Sequence, residues 1–181
     1  HAYHLSVLSS EFNVDLKKVN KVFEFGGGYG CMARIFSKIN KKIFYVCFDT
    51  NYVNLLQYYY LKQNNLNVGF KKKNNYLLMS NFYKNKIFLL KKFKNHFFIA
   101  NWSLSETPIK FREQFLKIVE NSKFILISFQ EYFEEIDNLS YFQKLKKKLD
   151  KKFHIKILKN PYYNGNIFRR QNHYFFIGKK L

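Results

Sequence analysis

Proline is almost missing from this chain. Pro108 and Pro161 are the only two in 181 residues, and outside the cluster at 26–30 the glycines stand alone at 69, 165 and 178. No Pro/Gly-rich stretch, repeat or low-complexity run marks a linker, so one core is expected; a chain of this length can bury roughly 70% of its unfolded surface. Cysteine is equally scarce. Cys31 and Cys47 stand too far apart for a zinc pair and have no nearby histidine partner. That excludes a disulfide scaffold and a zinc module, and two reduced thiols fit an intracellular protein. No apolar run approaches the roughly 20 residues of a membrane-spanning helix, and the first residues show no basic-apolar-small export pattern. A soluble, cytoplasmic protein without a membrane span is expected.

Acids and arginine are the other shortages. Twelve acids face 32 basic residues for a net charge of +20, and only Arg34, Arg112, Arg169 and Arg170 of those are arginine. A basic surface attracts phosphates at long range, yet specific phosphate forks would use more arginine. Asn, Ile, Phe and Tyr are abundant while Ala is rare, the bias of AT-rich codons, so the lysines read first as solvated surface. Lys144, Lys146, Lys147, Lys148, Lys151 and Lys152 read the same way, as the polar back of a helix. Nucleic acid is a partner that composition permits and does not favour. No Asp/Glu/His group remains with ligand spacing, and no metal is expected.

What is present is concentrated near the start. An apolar run at 22–25 contains Glu24 and ends in Gly26, Gly27, Gly28 and Gly30; a second run ends in Asp49, 19 residues further on. A buried strand thus enters a turn without side chains, so that a ligand can approach the backbone and a helix N-terminus faces it. Asp49 falls where a ribose would lie. The dinucleotide pattern G-x-G-x-x-G/A would need a small residue where Cys31 stands, and a pyrophosphate would be repelled by Glu24. E-x-G-x-G-x-G, formed by Glu24, Gly26, Gly28 and Gly30, instead resembles the glycine-rich motif of class I S-adenosylmethionine-dependent methyltransferases. The resemblance implies that Glu24 meets the ammonium of the methionine moiety. Asp49 then accepts both ribose hydroxyls, and the backbone of Gly26, Gly27, Gly28 and Gly30 admits the sulfonium ligand.

Strand and helix patterns alternate to the end of the chain. Residues 1–20 read as a lead-in helix, broken near Ser9 and Ser10, ahead of a single domain over 21–181. Strands are expected at 22–25, 43–48, 87–90, 97–100, 123–128, 153–158 and 174–177, and helices at 31–39, 52–62, 109–120 and 138–151. Met32, Ile35, Phe36 and Ile39 form one apolar stripe, and Leu139, Phe142, Leu145 and Leu149 another. Residues 64–85, rich in Asn and Lys, read as a loop with a short element around 76–79. The last two strands are joined by a loop holding Pro161, Gly165, Arg169 and Arg170, too short for a parallel crossover, so the final strand runs antiparallel. The fold class is α/β: a Rossmann-like, seven-stranded, mostly parallel sheet with a reversed last strand and helices on both faces.

Four segments narrow the resemblance: F-E-F-G-G-G-Y-G-C-M-A-R-I-F (23–36), D-T-N-Y-V-N-L-L-Q-Y-Y-Y-L (49–61), N-W-S-L-S-E-T-P (101–108) and H-Y-F-F-I-G-K-K (173–180). Together they are similar to the sugar O-methyltransferases encoded with bacterial polysaccharide genes. This implies methyl transfer to a hydroxyl of a sugar or glycan precursor, with S-adenosylhomocysteine as product and a small molecule, glycan or nucleotide-linked sugar as acceptor. The oligomeric state stays open.

Ligands of open α/β sheets lie beyond the carboxyl ends of the parallel strands. That sets His96 and His154 at the wrong end and keeps His4, in the leading helix, as an outsider among the candidates. Asn101, Trp102 and Glu106 leave the fourth strand at the right end, as Gln130, Glu131 and Tyr132 leave the fifth. Asn101 and Trp102 join the cofactor set. The reversed strand brings His173, the expected general base, with Glu106 as competitor. Tyr132, Arg169 and Arg170 are expected at the acceptor, the arginines as a phosphate clamp. Other readings stay open: an RNA or nucleotide methyltransferase, and a non-catalytic homologue that binds S-adenosylmethionine. An amino-directed enzyme would want an Asn/Asp-Pro-Pro-aromatic turn where this chain has Asn101-Trp102-Ser103-Leu104.

Overall fold

The computed structural model describes the backbone of residues 1–71, 73–80, 93–166 and 169–181, with side chains outside 163–170. Ten strands are formed among these: β1 (Lys21–Phe25), β2 (Phe44–Phe48), β3 (Val68–Gly69), β4 (Tyr76–Met79), β5 (Phe97–Asn101), β6 (Phe124–Gln130), β7 (Tyr132–Phe133), β8 (Ile136–Asp137), β9 (Phe153–Asn166) and β10 (Arg169–Lys180). Eight make one sheet in the order β3-β4-β2-β1-β5-β6-β10-β9, and β7 pairs with β8 in a small hairpin. All neighbours in the large sheet are parallel except at β10, which is antiparallel to both β6 and β9. The chain leaves β1 in one direction and returns to its other side at β5, so the carboxyl ends of β1 and β5 flank a topological switch point.

Side-chain alternation divides the core. Phe23, Phe25, Val46, Phe48, Phe98, Ile127 and Phe129 point to one face, and Val22, Tyr45, Cys47, Phe97, Ile99 and Leu126 to the other. The second face is covered by α1 (Ala2–Phe12), α2 (Cys31–Ile39) and α3 (Asn51–Gln63). The first is covered by α4 (Ile109–Glu113), α5 (Leu116–Glu120) and α6 (Asn138–Leu149). Each fully buried Phe, Leu or Ile contributes about 1.5–3 kcal/mol. Among the described residues no helix is long and apolar enough to cross a membrane.

Several expectations are corrected. The sheet has eight strands, not seven, because Val68–Gly69 adds a short parallel edge to β4. The place beside β2 belongs to Tyr76–Met79, fully buried and in register with Tyr45–Phe48; the strand expected at 87–90 lies outside the described residues. α1 is not broken at Ser9 and Ser10. Ser10 Oγ donates to the Val7 carbonyl at 3.2 Å within the helix, and the chain turns only at Asn13, at φ 50°. The single helix expected over 109–120 is two. Phe115 N–H bonds the Arg112 carbonyl at 3.0 Å, a three-residue turn that drives the Phe115 ring to 4.8 Å from both Phe25 and Phe48. The loop expected before the last strand is instead the far end of the long β9–β10 hairpin.

Candidate active site

The glycine turn is built on its backbone. Gly26, Gly28 and Gly30 have φ of +67°, +54° and +88°, a region disfavoured for residues with a Cβ. Space is as restrictive as torsion. A Cβ on Gly26 would lie 2.1 Å from Ser103 Cβ, and one on Gly27 would lie 2.7 Å from Glu24 Oε2; one on Gly28 would meet nothing within 4 Å. The turn therefore rests on Ser103 and Glu24 below, and its Gly28 side opens outward.

Glu24 is buried on β1, where Tyr45 Oη donates to Oε2 at 2.9 Å. Burial pushes its pKa from 4.5 to about 7, with the Tyr45 bond opposing and the nearby Asp49 charge reinforcing the rise. The folded chain thus keeps a proton that the unfolded chain releases between these two values. Stability is expected to fall as pH rises through that window, by on the order of 3 kcal/mol from this group. Urea unfolding at pH 5 and pH 8 checks this: Glu24→Gln should flatten the difference and be the more stable protein at pH 8. An equal pH dependence in both proteins would remove the effect from Glu24.

Asp49 follows β2. Its Oδ1 accepts from Thr50 N at 2.8 Å, and its Oδ2 from Gly28 N and Gln57 Nε2, both at 3.2 Å. Burial raises its pKa despite these bonds. The carboxylate fastens the glycine turn to the start of α3, which Thr50 caps by accepting from Val53 N at 3.4 Å. Beneath it Gln57 is fully buried, and its Oε1 has no partner among the described residues.

Across the switch point, β5 ends in a strained turn. Trp102 has φ +59°, rare for a bulky residue, and is held by its N–H to the Ser128 carbonyl at 2.8 Å. Asn101 Oδ1 accepts from His4 Nδ1 at 2.8 Å and Ser128 Oγ at 3.0 Å, leaving Nδ2 buried without a partner among the described residues. His4, an outsider among the candidate histidines, therefore packs behind Asn101, 5.2 Å edge-on from Trp102. Trp102 Nε1 donates to His173 Nδ1 at 3.0 Å. An Nδ1 that accepts leaves the proton of neutral imidazole on Nε2, and burial lowers the pKa of His173 further from protonation.

Trp102 and His173 line a cavity of about 800 Å³ together with Glu106, Gln130, Tyr132, Phe133, Glu134 and Gln171. Glu106 Oε1 accepts from Gln130 Nε2 at 3.3 Å, and Tyr132 N–H donates to Gln171 Oε1 at 3.0 Å. The turn carrying Glu106 is anchored by Arg112, 2% exposed, whose guanidinium donates to the Thr107 and Ser105 carbonyls and to Asn138 Oδ1 at 2.7–2.8 Å.

No family model matches the sequence, and no curated protein matches it. Solved structures do. The methyltransferase domain of a bacterial Hen1, CtHen1-CN, superposes with a TM-score of 0.66 at 12% identity, over 98% of this chain and 96% of that one. An rRNA methylase from Streptococcus thermophilus gives 0.67 at 13% identity over 100% and 95%. A precorrin-6y C5,15-methyltransferase from Geobacter metallireducens gives 0.61 at 12% over 96% and 85%. The chain has the class I S-adenosylmethionine-dependent methyltransferase fold.

In that methyltransferase fold the structure brings Glu24, Gly26, Gly27, Gly28, Gly30 and Asp49 together on one side of the switch point, and Asn101, Trp102, Glu106, Tyr132 and His173 on the other. Arg169 and Arg170 lie in the backbone of β10, and their side chains lie outside the described residues. Among the described residues no group of three or more His, Cys, Asp or Glu side chains converges as a metal site. Sequence reasoning missed Gln57, Ser103 and Arg112, and gave His4 only an outsider's place. None has a local signal, since each acts through a partner on another element.

Proposed function

We propose that this chain is an S-adenosylmethionine-dependent O-methyltransferase whose acceptor is a hydroxyl of a sugar or glycan precursor. The observation that carries the reading is the adjacency of two sites. A glycine turn edged by two carboxylates abuts, through Ser103 and Trp102, a cavity walled by aromatic rings, amides and carboxylates. The residues fit the methyl donor: the buried Glu24 carboxyl suits an ammonium, Asp49 suits ribose hydroxyls, and the orphan Asn101 Nδ2 supplies a donor. When bound, the donor supplies a methyl group made electrophilic by its sulfonium.

The protein's part is alignment and removal of a proton. Trp102 and Tyr132 offer faces for a sugar ring, while Gln130, Gln171 and Glu134 bear groups that bond its hydroxyls. With His173 Nδ1 engaged by the indole N–H, Glu106 is the better proton acceptor and His173 a donor that orients the acceptor oxygen. Glu106→Gln is expected to lower kcat about 10²- to 10⁴-fold, and His173→Gln less than about tenfold. The opposite order would give the base function back to His173. Incubation of the protein with methyl-labelled donor and a panel of glycans, nucleotide-linked sugars and RNA tests the acceptor class.

A second reading, methylation of an RNA ribose, is favoured by the net charge of +20. RNA binding that weakens steeply with salt, with label entering RNA, would support it over the sugar. Donor binding without transfer to any acceptor would make the chain a non-catalytic homologue.

A further inference from the structure

The outer face of α3 is inverted. This helix buries Asn54, Gln57 and Leu61 and turns its tyrosines and leucines to water: Tyr52 is 86% exposed, Leu55 59%, Leu56 39% and Tyr59 64%. Those four recur at the i, i+3, i+4, i+7 spacing of one helical stripe, a pattern that normally faces a core. Tyr58 at 38% extends the surface. Taking about 200 Å² for a large side chain fully in water, the five leave on the order of 600 Å² of largely apolar area. That is the upper end of the about 300–600 Å² patch that a monomer usually exposes, and a standard interface covers about 800 Å² per partner.

Charge selects the occupant. Residues 43–61 contain no lysine or arginine in a chain of net charge +20. At the margins, Arg34 Nη1 is bonded to Tyr60 Oη at 3.2 Å and Lys62 Nζ sits 5.7 Å over the Tyr58 ring. A nucleic-acid platform interleaves its aromatics with cations; among the described residues, Tyr52, Leu55, Leu56 and Tyr59 have no cation between them on this helix. It is a surface on which two such chains can touch with few like charges facing. We propose that α3 is the contact of a two-fold homodimer, with Leu55 and Leu56 at the centre of the interface and the tyrosines around them. The inference does not depend on methyl transfer; on its buried side the same helix is joined to Asp49 by the Gln57 bond.

Sedimentation equilibrium of the full chain at low and high sodium chloride tests it. A dimer is expected whose Kd falls as salt rises, because screening relieves the repulsion between two highly cationic molecules while the apolar contact persists. Leu55→Lys combined with Tyr59→Lys should raise that Kd at least about tenfold with unchanged circular dichroism. Tyr162→Lys, at a 74% exposed position on the hairpin, should leave it alone. A chain that stays monomeric at every salt concentration, or a dimer indifferent to the paired lysines, overturns the proposal. So does a monomer whose RNA binding weakens with salt and is lost in Tyr52→Ala with Tyr59→Ala.

Discussion

Arg112→Ala is expected to lower the free energy of unfolding by about 3–5 kcal/mol, the largest stability effect anticipated for a single residue here. The side chain is almost fully buried, and its partners among the described residues are neutral: two carbonyls, one amide oxygen and the Tyr141 ring 4.8 Å from the guanidinium carbon. Burial lowers its pKa. Removal leaves two buried acceptors and one part-buried acceptor without their donor, and each buried unsatisfied group costs about 1–3 kcal/mol. Two of those acceptors belong to the turn that carries Glu106. The third, Asn138, donates to the Gln130 carbonyl at 3.0 Å, so the same change should loosen both residues that form the Glu106–Gln130 bond. Lysine should rescue little, because one ammonium cannot reproduce a planar fork that serves three directions. Urea unfolding of wild type, Arg112→Ala and Arg112→Lys measures the difference. A loss below about 1 kcal/mol in Arg112→Ala would mean that water replaces the guanidinium at no cost.

Asp49→Ala is expected to weaken binding of S-adenosylmethionine about 100-fold. Hydrogen bonds to a charged group are worth about 1.5–3 kcal/mol, and 1.4 kcal/mol is a factor of ten in affinity. The carboxylate also holds Gly28 N and Gln57 Nε2, so its loss removes ligand contacts and frees the turn that presents the backbone. Asp49→Asn keeps an acceptor oxygen but loses the charge, and should fall between. Calorimetric titration with S-adenosylmethionine gives the affinities directly, and the ligand-induced rise in Tm gives an independent ranking. Wild-type affinity in Asp49→Ala would refute the placement of the donor's ribose and, with it, the proposed function.

The same residues show how far local chemistry reaches. Glu24, the glycine turn and Asp49 were readable because a strand end, a torsion that only glycine takes easily and a helix start are all encoded within a few positions. The alternation of apolar runs gave the α/β class and the reversed last strand, since a short connection cannot cross over. Segment 76–79 reads as a fragment in isolation, because four apolar residues cannot distinguish a strand from a buried turn; pairing with β2 decides it. Helix 109–120 looks continuous by period, and the demand that Phe115 fill the gap between Phe25 and Phe48 breaks it.

What the sequence alone determined is a glycine turn between a buried strand and a helix, and the class of sheet that carries it. The tertiary structure decided the rest of the site. It turned His4 from an outlying helix residue into a partner of Asn101, made Arg112 the support of the Glu106 turn, and tied His173 to Trp102. Each of those contacts joins groups far apart along the chain or on separate elements. Periodicity and turn chemistry report only on neighbours in sequence, and which distant side chains meet depends on the order and register of the strands between them.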